Sequence, residues 1–323
     1  MRYLLGLALI LFLTTSAAET PDGRAPVRFE PLSLDRDRPD QRQVDSLELL
    51  GLWRLTSDNH AFGGISALHV DEGEFLALGD SGKVFRFKFD GRMAKASLRA
   101  RMLPGLSHRV PSLRDLDSEA MAFDPVSRHF WVGFETFNTV RRFSANFSHK
   151  LGASAPRAIR HWPENGGSEA MIRLVDGRFV LFSESAERED GATEAVLFSG
   201  DPVAHPQSGV RFYYRAPEGF RVTDAAQLPD GRLLVLNRHF SVFDGFAAAL
   251  TLIDPRDIAP GRLVQPRLIA RLAPPLTIDN MEALSVEPGK AGEVVVWIMS
   301  DDNFNPLQQT LLMKFALDPA RIR

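Results

Sequence analysis

The chain has 323 residues, with 38 Lys and Arg against 41 Asp and Glu, a formal net charge of -3, and no cysteine. That balance leaves no basic excess to neutralise a phosphate backbone, which argues against a nucleic-acid partner. The missing thiols exclude disulfides, thiolate metal sites and cysteine nucleophiles. With 44% hydrophobic and 24% charged residues, the sequence is globular material able to bury a large core.

Residues 1–18 read as a cleavable signal peptide. Arg2 supplies a positive start, residues 4–13 are apolar apart from Gly6, and Ser16-Ala17-Ala18 places small residues at a cleavage site. No later stretch approaches the roughly 18 consecutive apolar residues of a membrane-spanning helix. The expectation is an exported protein, periplasmic or secreted, free of the membrane once the leader is removed. Residues 19–45 are rich in Pro, Asp and Arg, including Pro21, Pro26, Pro31 and Pro39, and show no sustained apolar period. They read as an extended arm on the surface of a domain covering residues 46–323.

That domain repeats. Five segments begin with a small or acidic residue beside Ala or Met, continue as a short apolar strand, turn, and enter a second strand rich in aromatic and branched residues. Ser118-Glu119-Ala120-Met121, Ser168-Glu169-Ala170-Met171 and Met281-Glu282-Ala283-Leu284 are clear copies, with Ile65-Ser66-Ala67-Leu68 and Thr223-Asp224-Ala225-Ala226 as divergent ones. Ser66, Glu119, Glu169, Asp224 and Glu282 are separated by 53, 50, 55 and 58 residues. Each unit supplies further strands and turn signals such as Asp176-Gly177-Arg178 and Pro229-Asp230-Gly231-Arg232, with no amphipathic helix between. The prediction is an all-β propeller of four-stranded antiparallel blades around a central channel, five blades being visible and six requiring a degenerate copy. Residues 47–56 are expected to close the ring by joining the last blade.

The innermost strand of each blade lines the channel, so the five recurring residues should meet at one mouth. Four carboxylates and a hydroxyl in a narrow channel repel one another unless a cation or protons intervene. Oxygen donors without His or Cys favour a hard ion, Ca²⁺ ahead of Mg²⁺, making Ser66, Glu119, Glu169, Asp224 and Glu282 the expected ligands. The alternative is that these acids accept from backbone N–H groups at strand starts, or point into a water-filled channel that holds no metal. The second strands return to the same mouth, where Asp80-Ser81, Glu135 with Asn138, Glu184, Asn237-Arg238-His239 and Ser300-Asp301-Asp302-Asn303 follow. Among these, Glu135, Glu184, Asp301 and Asp302 are candidates to orient or deprotonate water. Arg238, Arg141, Asn237, Asn303 and His239 are candidates to bind a small anionic substrate, with Lys83, Arg142 and Arg114 as further basic groups. No G-x-S-x-G, H-E-x-x-H, P-loop or G-x-G-x-x-G motif is present.

The segments 116–122, 166–171, 228–238 and 279–284, together with Ser300-Asp301-Asp302-Asn303-Phe304-Asn305-Pro306-Leu307, resemble the bacterial phytase-like family, described as "esterase-like activity of phytase". The resemblance runs over residues 49–317 and implies a secreted propeller with ester or phosphate-ester hydrolysis attached to its label. The ring pattern is also similar to that of calcium-activated nucleotidases, which implies one calcium among Ser66, Glu119, Glu169, Thr223 or Asp224, and Glu282. The motifs of multi-calcium β-propeller phytases are not matched. The expected function is therefore a monomeric, exported, calcium-dependent hydrolase of phosphate esters or anhydrides. The alternatives are a non-catalytic ligand- or protein-binding propeller with a structural calcium, and a lactonase-like enzyme in which Glu135, Asn138 and Asp301 hold the metal.

Overall fold

The computed structural model describes residues 24–105 and 116–322. The expected leader and Arg114 lie outside the described residues. Apart from two single-turn 3₁₀ helices, the described elements are strands. The first four-stranded antiparallel unit is β4 (Ile65–Asp71), β5 (Glu74–Gly79), β6 (Lys83–Lys88) and β7 (Lys95–Met102). The second is β8 (Ser118–Phe123), β9 (Phe130–Phe134), β10 (Thr139–Phe143) and β11 (Lys150–Ser154). The third is β12 (Ser168–Arg173), β13 (Phe179–Glu187), β14 (Thr193–Phe198) and β15 (Gly209–Tyr214), edged by the short β19 (Leu263–Val264). The fourth is β16 (Arg221–Gln227), β17 (Leu233–Ser241), β18 (Gly245–Ile253) and β20 (Arg267–Leu272). The fifth is β21 (Asn280–Pro288), β22 (Val294–Asp301), β23 (Thr310–Leu317) and β3 (Leu47–Ser57), with β2 (Gln43–Val44) pairing β3.

The innermost strands β4, β8, β12, β16 and β21 contact one another in turn, and β21 returns to β4. That closed circuit of antiparallel sheets is a β-propeller. Closure falls where the sequence places it, with β3 pairing β23 from Leu47↔Leu317 to Leu55↔Thr310. The arm differs from expectation. Residues Arg24–Pro31 form β1, which pairs with β3 on one side and β7 on the other and fuses the first and fifth blades into one ten-stranded sheet. Val27 and Phe29 alternate inward and are buried, so this stretch is part of the seam rather than a covering.

The core is divided into layers between blades. Phe75, Phe85, Trp297 and Met299 pack with Val27, Phe29 and Trp53 where the fifth blade meets the first; Phe182, Tyr214, Val222 and Val235 pack where the third meets the fourth. Each fully buried Leu or Phe contributes about 1.5–3 kcal/mol, so every interface stabilises both of its blades. The tight turns follow the sequence signals: Gly177 and Gly231 sit at φ 89° and 90°, where a side chain would be strained.

Candidate metal centre at the channel mouth

In each innermost strand, the pairing with the second strand is interrupted by a bulge at the same place. The register jumps between Ile65 and Ala67, Ser118 and Ala120, Ser168 and Ala170, Val222 and Asp224, and Met281 and Ala283. The skipped residues are Ser66, Glu119, Glu169, Thr223 and Glu282. A bulge adds one residue and re-aims its side chain, and here it equips the channel mouth with one group per blade. The ring therefore holds three carboxylates and two hydroxyls.

Asp224 is thus not a ring member. It occupies the place of Ala67, Ala120, Ala170 and Ala283, and its carboxyl accepts from Ala225 N (2.8 Å) and Leu284 N (2.7 Å) between blades. Burial pushes its pKa well above the usual range. Thr223 takes the ring position, and its Oγ1 donates to Met281 O at 3.2 Å. Ser66 Oγ likewise donates to Ser118 O at 2.6 Å. In both cases the acceptor is the residue just before the next blade's ring glutamate, which confirms that the two hydroxyl positions are equivalent.

A cavity of about 210 Å³ opens at this mouth, lined by Ser66, Asp80, Glu119, Glu135, Asn165, Gly166, Glu169, Glu184, Arg238, Glu282, Asp301 and Asn303. Seven carboxylates share it with one guanidinium. Arg238 is already engaged: Nη2 donates to Glu184 Oε1 at 2.7 Å, and Nε lies 3.2 Å from Glu282 Oε1. Burial alone would lower its pKa, but Glu282, Glu184 and Glu169 hold it above its ordinary value.

The carboxyls respond as a crowded cluster must. Burial, then Glu169 and Glu282, push Glu119 well up; burial, then Glu135 and Glu184, do the same to Glu169. Asp301 is pushed up to about 8 by burial and by Glu282, and Asp80 to about 6 by burial and by Asp117 and Asp302. Glu135 is raised less, because Glu169 donates a hydrogen bond to it and the N–H groups of Gly166 and Gly167 donate to its Oε1. Gly166 has φ 83°, and a Cβ there would collide with Ser185 Oγ. One oxygen each from Asp117, Glu119 and Glu135 lie within 4.8 Å of one another. This donor set, oxygen throughout and unable to ionise together, fits a hard cation.

Several sequence-derived assignments change. Asn237 is fully buried between strands, donating to Val235 O, Ala249 O and Thr251 Oγ1 and accepting from Tyr214 OH at 3.0 Å. It cannot reach a substrate. Arg141 lies 4.0 Å over the Phe134 ring, and Arg142 pairs with Asp201. His239 caps Gly219 O and packs on Phe220 outside the cavity. Asp302 accepts from Gly64 N, Phe304 N and Thr310 Oγ1, so it ties the loop after β22 to the first blade rather than serving as a base. Asn138 donates to Trp162 O and Pro163 O away from the cavity, so the lactonase-like trio is not assembled. Ser66, Glu119, Glu169, Glu282, Glu135, Glu184, Asp301, Asn303 and Arg238 do converge. Asp80 and Asp117 join them, and Asp117 carried a sequence signal: it precedes Glu119 by two residues, on the approach to the same strand.

Two residues beyond the ring, the pleat returns Leu68, Met121, Met171, Ala225 and Leu284 to the channel, an apolar layer beneath the acids. They also line a cavity of about 800 Å³ at the opposite end, with Phe123, Arg173, Gln227 and Val286.

Fold and site together define a propeller with an acidic, cation-seeking mouth. A family model described as "Phytase-like: Esterase-like activity of phytase" matches residues 60–304, and the chain belongs to that family. No curated protein matches the sequence. Among solved structures, the chain is similar to a Myxococcus xanthus glutaminyl cyclase at 14% identity and TM-score 0.47, with 79% of this chain and 91% of that one covered. A protein of unknown function from Bacteroides thetaiotaomicron VPI-5482 gives 12% identity and TM-score 0.49 over 90% and 76% of the two chains.

Proposed function

We propose that the chain is an exported, monomeric, calcium-dependent hydrolase of phosphate esters or anhydrides. The observation that carries this reading is the convergence of seven carboxylates on one narrow cavity whose single guanidinium two of them already hold. An anionic substrate cannot enter such a site unless positive charge accompanies it. Asp117, Glu119 and Glu135 would hold the calcium, with Glu169 and Glu282 across the channel. A calcium ion held there would supply the positive charge that an anionic substrate needs and the polarisation of a phosphoryl oxygen.

The chain's own residues supply the rest. Gly166 and Gly167 fix Glu135 through their N–H groups. Arg238, aligned by Glu184 and Glu282, meets the anionic group. Glu184 accepts a proton from the attacking water as its oxygen bonds to phosphorus. Asp301, whose pKa burial and Glu282 push up to about 8, would give its proton to the departing alkoxide as the P–O bond breaks. Both carboxyls then exchange protons with solvent.

The test is phosphate release from an aryl phosphate and a nucleoside diphosphate by the chain starting at Glu19, with calcium and with chelator. Turnover should vanish with chelator and with Glu119→Gln, and Asp301→Asn should lower kcat by about 10²–10⁴-fold. Silence on both substrates, with calcium still raising Tm, would replace this reading with a binding propeller whose ion is architectural. Mass measurement of the protein recovered from the periplasm should give an N-terminus at Glu19.

A further inference from the structure

At the end of the blades where the acid cavity opens, several apolar side chains are exposed among the described residues. Phe137 follows Glu135 by two residues, Phe304 follows Asn303, and Leu307 lies in the same loop. Phe240 lies two residues beyond Arg238 on β17, and Val242 and Phe243 form the turn into β18. Pairing between β16 and β17 ends at Arg221↔Arg238, while β17 and β18 stay paired to Ser241↔Gly245. The hairpin therefore stands about 10 Å above the strand start, at roughly 3.3 Å per residue. Phe243 is 97% exposed and Leu307 89%. Single exposed apolar residues are ordinary, but Phe240, Val242 and Phe243 share one hairpin and Phe304 and Leu307 one loop, and such grouping at a site's rim marks a binding surface.

We infer that this crown receives the apolar alcohol portion of an ester whose charged group enters the acid cavity, so that the substrates are amphiphilic phosphate esters rather than compact polyol phosphates. The inference rests on the hydrolase reading above and narrows it. A cavity of about 210 Å³ is below the roughly 300–1,000 Å³ of sites that enclose a whole ligand. It admits a phosphoryl group and leaves the rest of the molecule outside. What lies outside meets Phe137, Phe304 and the hairpin aromatics, and the exposed charge at this end of β16, Arg221, is already paired with Glu184 and Glu187. An alkyl or aryl leaving group would gain there the burial it lacks in water, and a hydroxyl-rich one would lose its hydration for nothing.

The experiment has two arms with one headgroup. In the first, kcat/KM is measured with calcium for methyl, butyl and octyl phosphate, all below their micellar concentrations. It should rise between about twofold and fourfold for each methylene lying on the crown, and Phe243→Ser with Leu307→Ser should flatten that slope. In the second, butyl- and octylphosphonate, which cannot be hydrolysed at the ester position, are titrated by calorimetry. Turnover without chain-length dependence overturns the inference and leaves the hydrolase reading standing. Tighter octyl- than butylphosphonate binding that the double variant abolishes, with no turnover of any ester, sinks the hydrolase reading and supports the crown as an amphiphile site. No chain-length effect in either arm, with crown-dependent sedimentation on phosphatidylcholine vesicles, overturns the inference in favour of a membrane surface.

Discussion

The two ends of the channel are built from the same five strands, two residues apart, and they behave oppositely. At the mouth, the bulged positions present Glu119, Glu169 and Glu282, whose pKa values burial and mutual repulsion drive upward. One pleat deeper, Leu68, Met121, Met171, Ala225 and Leu284 make an apolar layer, and beyond it His69 is pushed down to about 4 because burial disfavours its charged form. The mouth holds groups that the fold must tolerate; the layer below holds groups that stabilise it. Function and stability are thereby assigned to alternate positions of one strand, and substitutions at the two positions should separate them.

The sharpest way to break that separation is Met171→Ala. Met171 is buried in the apolar layer, so the change should cost about 2–5 kcal/mol of stability, read as a lower midpoint in urea. Turnover per folded molecule should stay within about twofold, by the contrast with losses of transition-state contacts. A collapse of kcat at full folding would mean that the layer shapes the site and does not merely support it.

His69 gives the next effect. It packs on Phe123 and Phe130, with Asp71, Arg86 and Arg128 as its charged neighbours. Its folded pKa lies below its unfolded value near 6.5, so the unfolded chain binds a proton first. Stability is complete above about pH 6.5 and falls as pH drops toward 4, by at most about 3 kcal/mol. His69→Gln should flatten that part of the pH–stability curve, and an unchanged curve would remove His69 from the account. The smallest effect is expected at the Tyr214–Asn237 pair. Tyr214→Phe strips a donor from buried Asn237 Oδ1 and should cost about 1–2 kcal/mol, with kcat/KM unaltered, because Asn237 faces the blade interior.

The repeat and the ring were legible because a carboxylate recurs beside Ala-Met at a nearly constant period. The fourth copy was misread by one residue. Thr223 and Asp224 are both polar, and only the register jump between Val222 and Asp224 shows which faces the channel. The mouth was misread for a related reason. Adjacent strand residues point to opposite sides, so of Asn237 and Arg238 one reaches the cavity, and of Asp301 and Asp302 only the first lines it. A sequence displays the pair without displaying which of the two faces the cavity. The arm was opaque because β1 has only Val27 and Phe29 as an inward pattern, too short to outweigh its prolines.

The seam has a consequence for how the molecule is made. β3 finds its partner β23 more than 250 residues later in the chain, and β1 is held between that late pairing and β7. Contacts of such high sequence separation are slow to form and reward the chain only once the intervening loop has been closed. No partial ring satisfies β3, so the first and last blades should gain their stability together, in one cooperative step that waits for the final strand to arrive.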